Sequence, residues 1–176
     1  DGPPSYDVCT LKIGQDNIKI MYTSGPSADP YFEVYALPKK GAKEEARKIL
    51  GVGATTLYLP KGKNVYAEGW CNTMFNERRK YSYNGKQFVE VKQPYLYVGI
   101  KTTVQPVGSQ KKPLVLYADK SQKTRVAALP VGSEIEVLLY EPNDWYLVRT
   151  SFGLVGWTKV TMGMYDTQIG VRFAGD

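Results

Sequence analysis

A chain of 176 residues with 43% apolar side chains is long enough for one large or two small domains with buried cores, which excludes a disordered polymer. The formal charge is +6 and there is no histidine, so Ser-His-Asp triads, imidazole-assisted cysteine nucleophiles and most catalytic zinc sites are excluded. Chemistry resting on carboxylates alone stays open.

Taken in chain order, Cys9 to Ile13 and the alternating Ile18, Ile20 and Tyr22 predict two strands turning over Gly14 to Asn17. Ser24 to Pro30, with Pro26 and Pro30, reads as a loop, and Tyr31 to Leu37 as extended,. Ala42 to Leu50 predicts the one short helix: Glu44 and Glu45 come early, Arg47 and Lys48 late, and Gly51 follows as a cap,. Asn84-Gly85 predicts a two-residue turn that pairs Tyr83 with Lys86, Tyr81 with Phe88, Arg79 with Glu90 and Glu77 with Lys92. A long strand follows from Tyr95 to Val104. The Pro- and Gly-containing link Val104 to Pro113 marks a boundary,.

The expected organisation is a mostly antiparallel β domain with one short helix over residues 1–107, a compact β unit over 108–160, and an extended tail over 161–176. The tail contains a last strand-like piece, Gln168 to Phe173, read as returning to the first domain. Leu59-Pro60-Lys61-Gly62 and Leu129-Pro130-Val131-Gly132 share a pattern that leaves open a second unit of the same kind, although a Pro-x-Gly turn is also common hairpin grammar,.

The C-terminal part reads as five short strands. Its ordered residues are Leu129-Pro130-Val131-Gly132 leading to Val137, Trp145 to Val148, and Gly153 to Thr158 with Gly156-Trp157. This resembles the bacterial SH3 (SH3b) family over about fifty residues. It departs at Leu116-Tyr117, where the family often has Val-Arg, and at Thr158 in place of Val. The resemblance implies a mainly β chain with a C-terminal SH3-like barrel, and attachment to cell-envelope material: a cell-wall polymer, a glycan or an envelope protein. It also implies a periplasmic or cell-surface location, with a lipid anchor before trimming as one option. The N-terminal part is similar, faintly, to exported Bacteroidetes proteins without a recorded chemistry.

For a ligand groove the flat rings of Tyr117, Trp145 and Tyr146 are the candidates, with coverage of the barrel's own core as the plain alternative. Trp157 is read as packed. Lys120, Lys123 and Arg125 stand where a polyproline-binding loop would be acidic, which disfavours polyproline ligands. No cofactor, metal or nucleic acid is expected, and no apolar run reaches the ~20 residues of a membrane span.

Two alternatives remain. The N-terminal part holds 15 basic and 10 acidic residues up to Val107, with clusters at Lys39-Lys40-Lys43, Arg47-Lys48, Lys61-Lys63 and Arg78-Arg79-Lys80 that suit an acidic polymer or lipid. Glu33, Glu68 and Glu90 are the candidates for a carboxylate-dependent glycosidase, which needs two acids ~5 to ~9 Å apart. Cys9 and Cys71 form one disulfide or remain as two thiols. The opening Asp1-Gly2-Pro3-Pro4 reads as that of a processed or trimmed chain.

Overall fold

The computed structural model describes residues 4–24, 29–41, 43–70, 73–161 and 167–170. Among them the chain is all-β and antiparallel, with fourteen strands in three sheets. It divides into two compact units. The described part of one covers 4–70 and 78–92; that of the other covers 73–77 and 93–170.

The first unit is a pair of four-stranded meanders. One runs β1 (Ser5–Ile13), β2 (Asp16–Ser24), β3 (Pro30–Ala36) and β4 (Arg47–Gly53); the other runs β5 (Thr56–Tyr58), β6 (Asn64–Gly69), β7 (Glu77–Tyr83) and β8 (Phe88–Val91). Alternate residues point inward: Ile18 and Ile20, Phe32 and Val34, Val65 and Ala67, Tyr81 and Tyr83 join one buried cluster that both sheets share,. The β1–β2 hairpin forms with a tighter turn than Gly14 to Asn17: Ile13 stands opposite Asp16 across Gly14 and Gln15, with Gly14 at φ +62°. β1 is an outer strand of its sheet, and a bulge between Asp7 and Cys9 leaves Val8 about half exposed.

Two expectations are overturned here. No helix forms over 42–50: Ala42 lies outside the described residues, Lys43 to Ala46 are irregular, and Arg47–Gly53 is strand β4. Helix propensity is a small preference per residue. It yields to burial of Ile49, Leu50 and Val52 in the shared core and to pairing with β3. The β7–β8 hairpin also turns differently. Tyr83 pairs with Phe88 and Tyr81 with Glu90, so the loop has four residues, Asn84 to Gln87. The Asn84 side chain decides this, because its Oδ1 accepts hydrogen bonds from the N–H groups of both Lys86 and Gln87, each at 2.9 Å,. The aromatic pair is Tyr83 with Phe88, ring centroids 5.2 Å apart.

The second unit is built on a six-stranded sheet. Its strands are β9 (Leu96–Thr103), β10 (Leu114–Tyr117), β11 (Arg125–Leu129), β12 (Glu134–Glu141), β13 (Trp145–Thr150) and β14 (Val155–Lys159), in the spatial order β11-β10-β14-β13-β12-β9. The unit therefore takes in β9, which lies before the expected boundary, because β9 pairs along β12 from Tyr140 to Glu134. Val104, Leu114, Leu116, Ile135, Val137, Val148 and Ile169 fill its core. Of the tail, Thr167 to Gly170 is described; the Gln105 N–H donates to the Gln168 carbonyl at 2.9 Å, inside this unit.

Glycines act where backbone geometry requires them. Gly132 and Gly153 take φ of +90° and +100° in turns,. Gly156 has ordinary φ, but a Cβ there would lie 2.9 Å from Leu116 Cβ and 3.0 Å from the Tyr117 carbonyl. The approach of β10 to β14 depends on its absence. The shared Leu-Pro-x-Gly pattern serves two different connections. It links the paired strands β5 and β6 in one unit, and β11 and β12, which are not neighbours, in the other.

Candidate ligand-binding site

Strand alternation assigns the aromatic residues of the second unit to two faces. On β13, Tyr146, Val148 and Thr150 point inward and are buried, while Trp145 and Leu147 point outward and stay partly accessible. Tyr146 has no solvent exposure. Its ring packs on Tyr140 at 5.1 Å, and its hydroxyl faces the Met74 sulfur at 3.7 Å. Burial pushes its phenol well above the ordinary tyrosine value,. Tyr146 is thus a core residue and not part of an accessible groove, since neighbours on one strand cannot share a face.

Trp145 and Tyr117 are both on the outer face. Tyr117 is the register partner of Trp157, Trp157 of Leu147, Leu147 of Leu139 and Leu139 of Tyr97. One row of aromatic and aliphatic side chains therefore crosses the sheet. The neighbouring row contains Glu141 opposite Trp145, and Trp145 opposite Lys159. Tyr97 is 55% and Tyr95 44% exposed. Tyr95, just ahead of β9, comes to 6.0 Å from Trp157 of β14, centroid to centroid. Gly99, at φ +65°, leaves the space that the Tyr97 ring occupies; a Cβ there would meet it at 2.4 Å.

Charge is placed among these rings. The Lys120 Nζ lies 5.5 Å from the Trp157 ring centroid, and it pairs with Glu141 Oε1,. The second oxygen, Glu141 Oε2, is buried and has no hydrogen-bond partner among the described residues. Further along the same face, Lys101, Glu136 and Arg149 lie in register across β9, β12 and β13. They line an open hollow of about 650 Å³ with Glu134, Ser151 and Gly153, and Arg149 pairs with Glu136 within it.

No family model, curated protein or solved structure matches the chain. Function rests on what these side chains can do.

The carboxylates singled out as catalytic candidates do not share a cleft. Glu33 lies between the buried Phe32 and Val34 and so points out of the β1–β4 sheet; Glu68, next to buried Ala67, points out of the β5–β8 sheet. These are the two outer faces of one sandwich. Glu90 stands opposite buried Tyr81 on strand β8 and pairs with Lys92 at 2.9 Å. Glu33 is held by Lys48 and by the Tyr35 hydroxyl at 2.8 Å. The hydrogen bond from Lys48, above all, keeps its carboxyl below the usual range, which suits a standing anion and not a proton donor. Glu68 has the same company, with Tyr58 and Arg78 each at 2.8 Å. Among the described residues no cluster of three Cys, Asp or Glu is placed to hold a metal. Cys9 is a half-buried free thiol on β1, while Cys71 lies outside the described residues. Among the described residues no helix is long and apolar enough to cross a membrane.

Sequence reasoning missed Tyr95, Tyr97, Glu141 and Lys120. For Trp157 the signal was present: buried Gly156 and Thr158 flank it, so alternation turns its ring outward. For Tyr95 there was none, because it lies ahead of β9 and meets Trp157, 62 residues on, only in the folded unit.

Proposed function

We propose that the chain is a non-catalytic binding module that recognises cell-envelope glycan on the outer face of its six-stranded sheet. The observation that carries this reading is the set of rings on that face: Trp157, in register with Tyr117 and with the Lys120 ammonium over it, and Trp145 opposite Glu141, whose carboxylate pairs with Lys120. Flat rings stack on the apolar faces of sugars, and a carboxylate accepts from sugar hydroxyls. The ionic hollow on the same face, with Lys101, Glu136 and Arg149, suits the charged substituents of a wall polymer such as peptidoglycan. The ordered Gly132, Trp145, Gly153 and Gly156-Trp157 resemblance to SH3b domains supports the same class of ligand and an exported setting.

The test is retention on purified cell-wall sacculi, followed by titration with soluble wall fragments. Wild-type protein is expected to bind. Trp157→Ala should weaken it at least tenfold, as loss of a central aromatic anchor does, and Glu141→Gln about tenfold or more, as loss of a charged acceptor does. Folded protein retained on no envelope polymer would end this reading. A glycosidase reading has no paired carboxylates to support it among Glu33, Glu68 and Glu90.

A further inference from the structure

The first unit carries its charge at one end. Four connections meet there, as four hydrogen bonds show: the Tyr83 hydroxyl donates to Asp16 at 2.9 Å, the Leu37 N–H to the Asn17 carbonyl at 2.8 Å, the Tyr83 N–H to the Lys63 carbonyl at 2.7 Å, and the Arg47 guanidinium to the Lys86 carbonyl at 2.7 Å. The loops β1–β2, β3–β4, β5–β6 and β7–β8 therefore share one end of the sandwich. Basic clusters that lie far apart in the sequence converge on it.

Lys39, Lys40, Lys43, Lys61, Lys63 and Lys86 are all exposed, and none makes an ion pair among the described residues. With Arg47 they make seven cations against the carboxylates Asp16, Glu44 and Glu45, a surplus of four in a chain whose total is +6. At the other end, the connections between β2 and β3 and between β4 and β5 carry no lysine or arginine and one carboxylate, Asp29. The unit is polarised along its strands.

The residue types say what such an end attracts. Six of the seven cations are lysines, point charges on flexible stems, and the one guanidinium is already engaged with a carbonyl,. That is poor equipment for clasping a single phosphate or carboxylate in a fixed geometry. Because the lysines stand on separate loop tips, an extended plane of negative charge meets them all at once, whereas a narrow polymer meets only some. Exposed Leu59 and Pro60 sit on one of these tips, beside Lys61, and supply a small apolar contact of the kind that a headgroup layer accepts.

We propose that this loop end is a docking surface for an anionic lipid bilayer. The claim stands independently of the glycan reading, since it concerns the other unit and a different chemistry. It is tested by co-sedimenting the full chain with vesicles of phosphatidylcholine alone and with vesicles containing 30% phosphatidylglycerol, at low and high salt. Binding is expected only to the anionic vesicles and should fade as salt shortens the Debye length below about 10 Å. Lys39→Gln with Lys40→Gln, and separately Lys61→Gln with Lys63→Gln, should each weaken partitioning by about fivefold per lysine. Lys111→Gln with Lys112→Gln, which removes equal charge from exposed positions of the second unit, should leave it unchanged. Circular dichroism establishes that each variant is folded. Equal binding to neutral vesicles, an equal loss from the Lys111 and Lys112 pair, or retention on soluble heparin without any vesicle binding would overturn the proposal.

Discussion

Trp145 and Tyr146 are adjacent in sequence and opposite in role. Residue for residue they offer the same flat ring, and only the period of the strand separates them. Tyr146→Phe should be nearly silent: its hydroxyl has the Met74 sulfur as a weak acceptor, so thermal melts are expected to shift by about 1 kcal/mol or less and glycan binding to stay intact. Tyr146→Ala should destabilise the second unit by about 3 to 5 kcal/mol through the cavity it leaves. The alternation that assigns them was legible in the sequence from Val148 and Thr150 on one side and Leu147 and Arg149 on the other. Choosing three rings by type while ignoring that period produced a groove that the sheet cannot form. Gly156 teaches the complementary lesson. The sequence marks it as a bend or close approach, and the backbone carbonyl of Tyr117 shows which; Gly156→Ala should cost about 1 to 3 kcal/mol in chemical denaturation.

Glu33 adds a pH dependence at the same scale. Its carboxyl in the folded chain is held below the ordinary glutamate range, mainly because Lys48 bonds to the ionised form. A depressed carboxyl pKa stabilises the fold above the ordinary value, and that contribution is lost as pH falls through the folded pKa. Melting temperatures taken from pH 7 down to pH 3 should therefore drop more steeply for the wild type than for Glu33→Gln. Parallel curves would mean that the Lys48 and Tyr35 contacts contribute nothing to stability.

At the scale of elements, strand existence was readable and partnership was not. The runs Ile18 to Tyr22, Tyr31 to Ala36, Leu114 to Tyr117 and Trp145 to Thr150 have the length and alternation of strands, and all form them. The segment before Gly51 failed because its helix formers Ala46 and Leu50 sit next to residues whose burial is decided by a sheet far away in sequence. The β7–β8 turn failed for a local reason: Asn84-Gly85 was read as the turn itself, whereas Asn84 opens a longer loop and caps two N–H groups of it. Asn84→Ala should destabilise the first unit by about 1 kcal/mol in urea titrations.

At the scale of the whole molecule, the two proposals assign different recognition chemistries to the two units. The outer face of the six-stranded sheet presents rings and an ion-paired carboxylate; the loop end of the sandwich presents exposed lysines. Their responses to ionic strength should differ accordingly. Moderate salt is expected to strip the chain from anionic vesicles and leave it on wall fragments. Total charge was legible from composition, but its concentration at one end was not, since it arises from the meeting of three basic loops separated by about twenty residues or more.

The kink at Asp7 and Cys9 has a further effect. A smooth outer strand offers its spare amide and carbonyl groups as a template for a foreign strand, and an extra residue breaks that template by throwing the ladder out of step. Val8, solvent-facing and making no core contact, thus acts as a guard against self-association. Deleting it should straighten the margin of the sheet and bring concentration-dependent growth in light scattering.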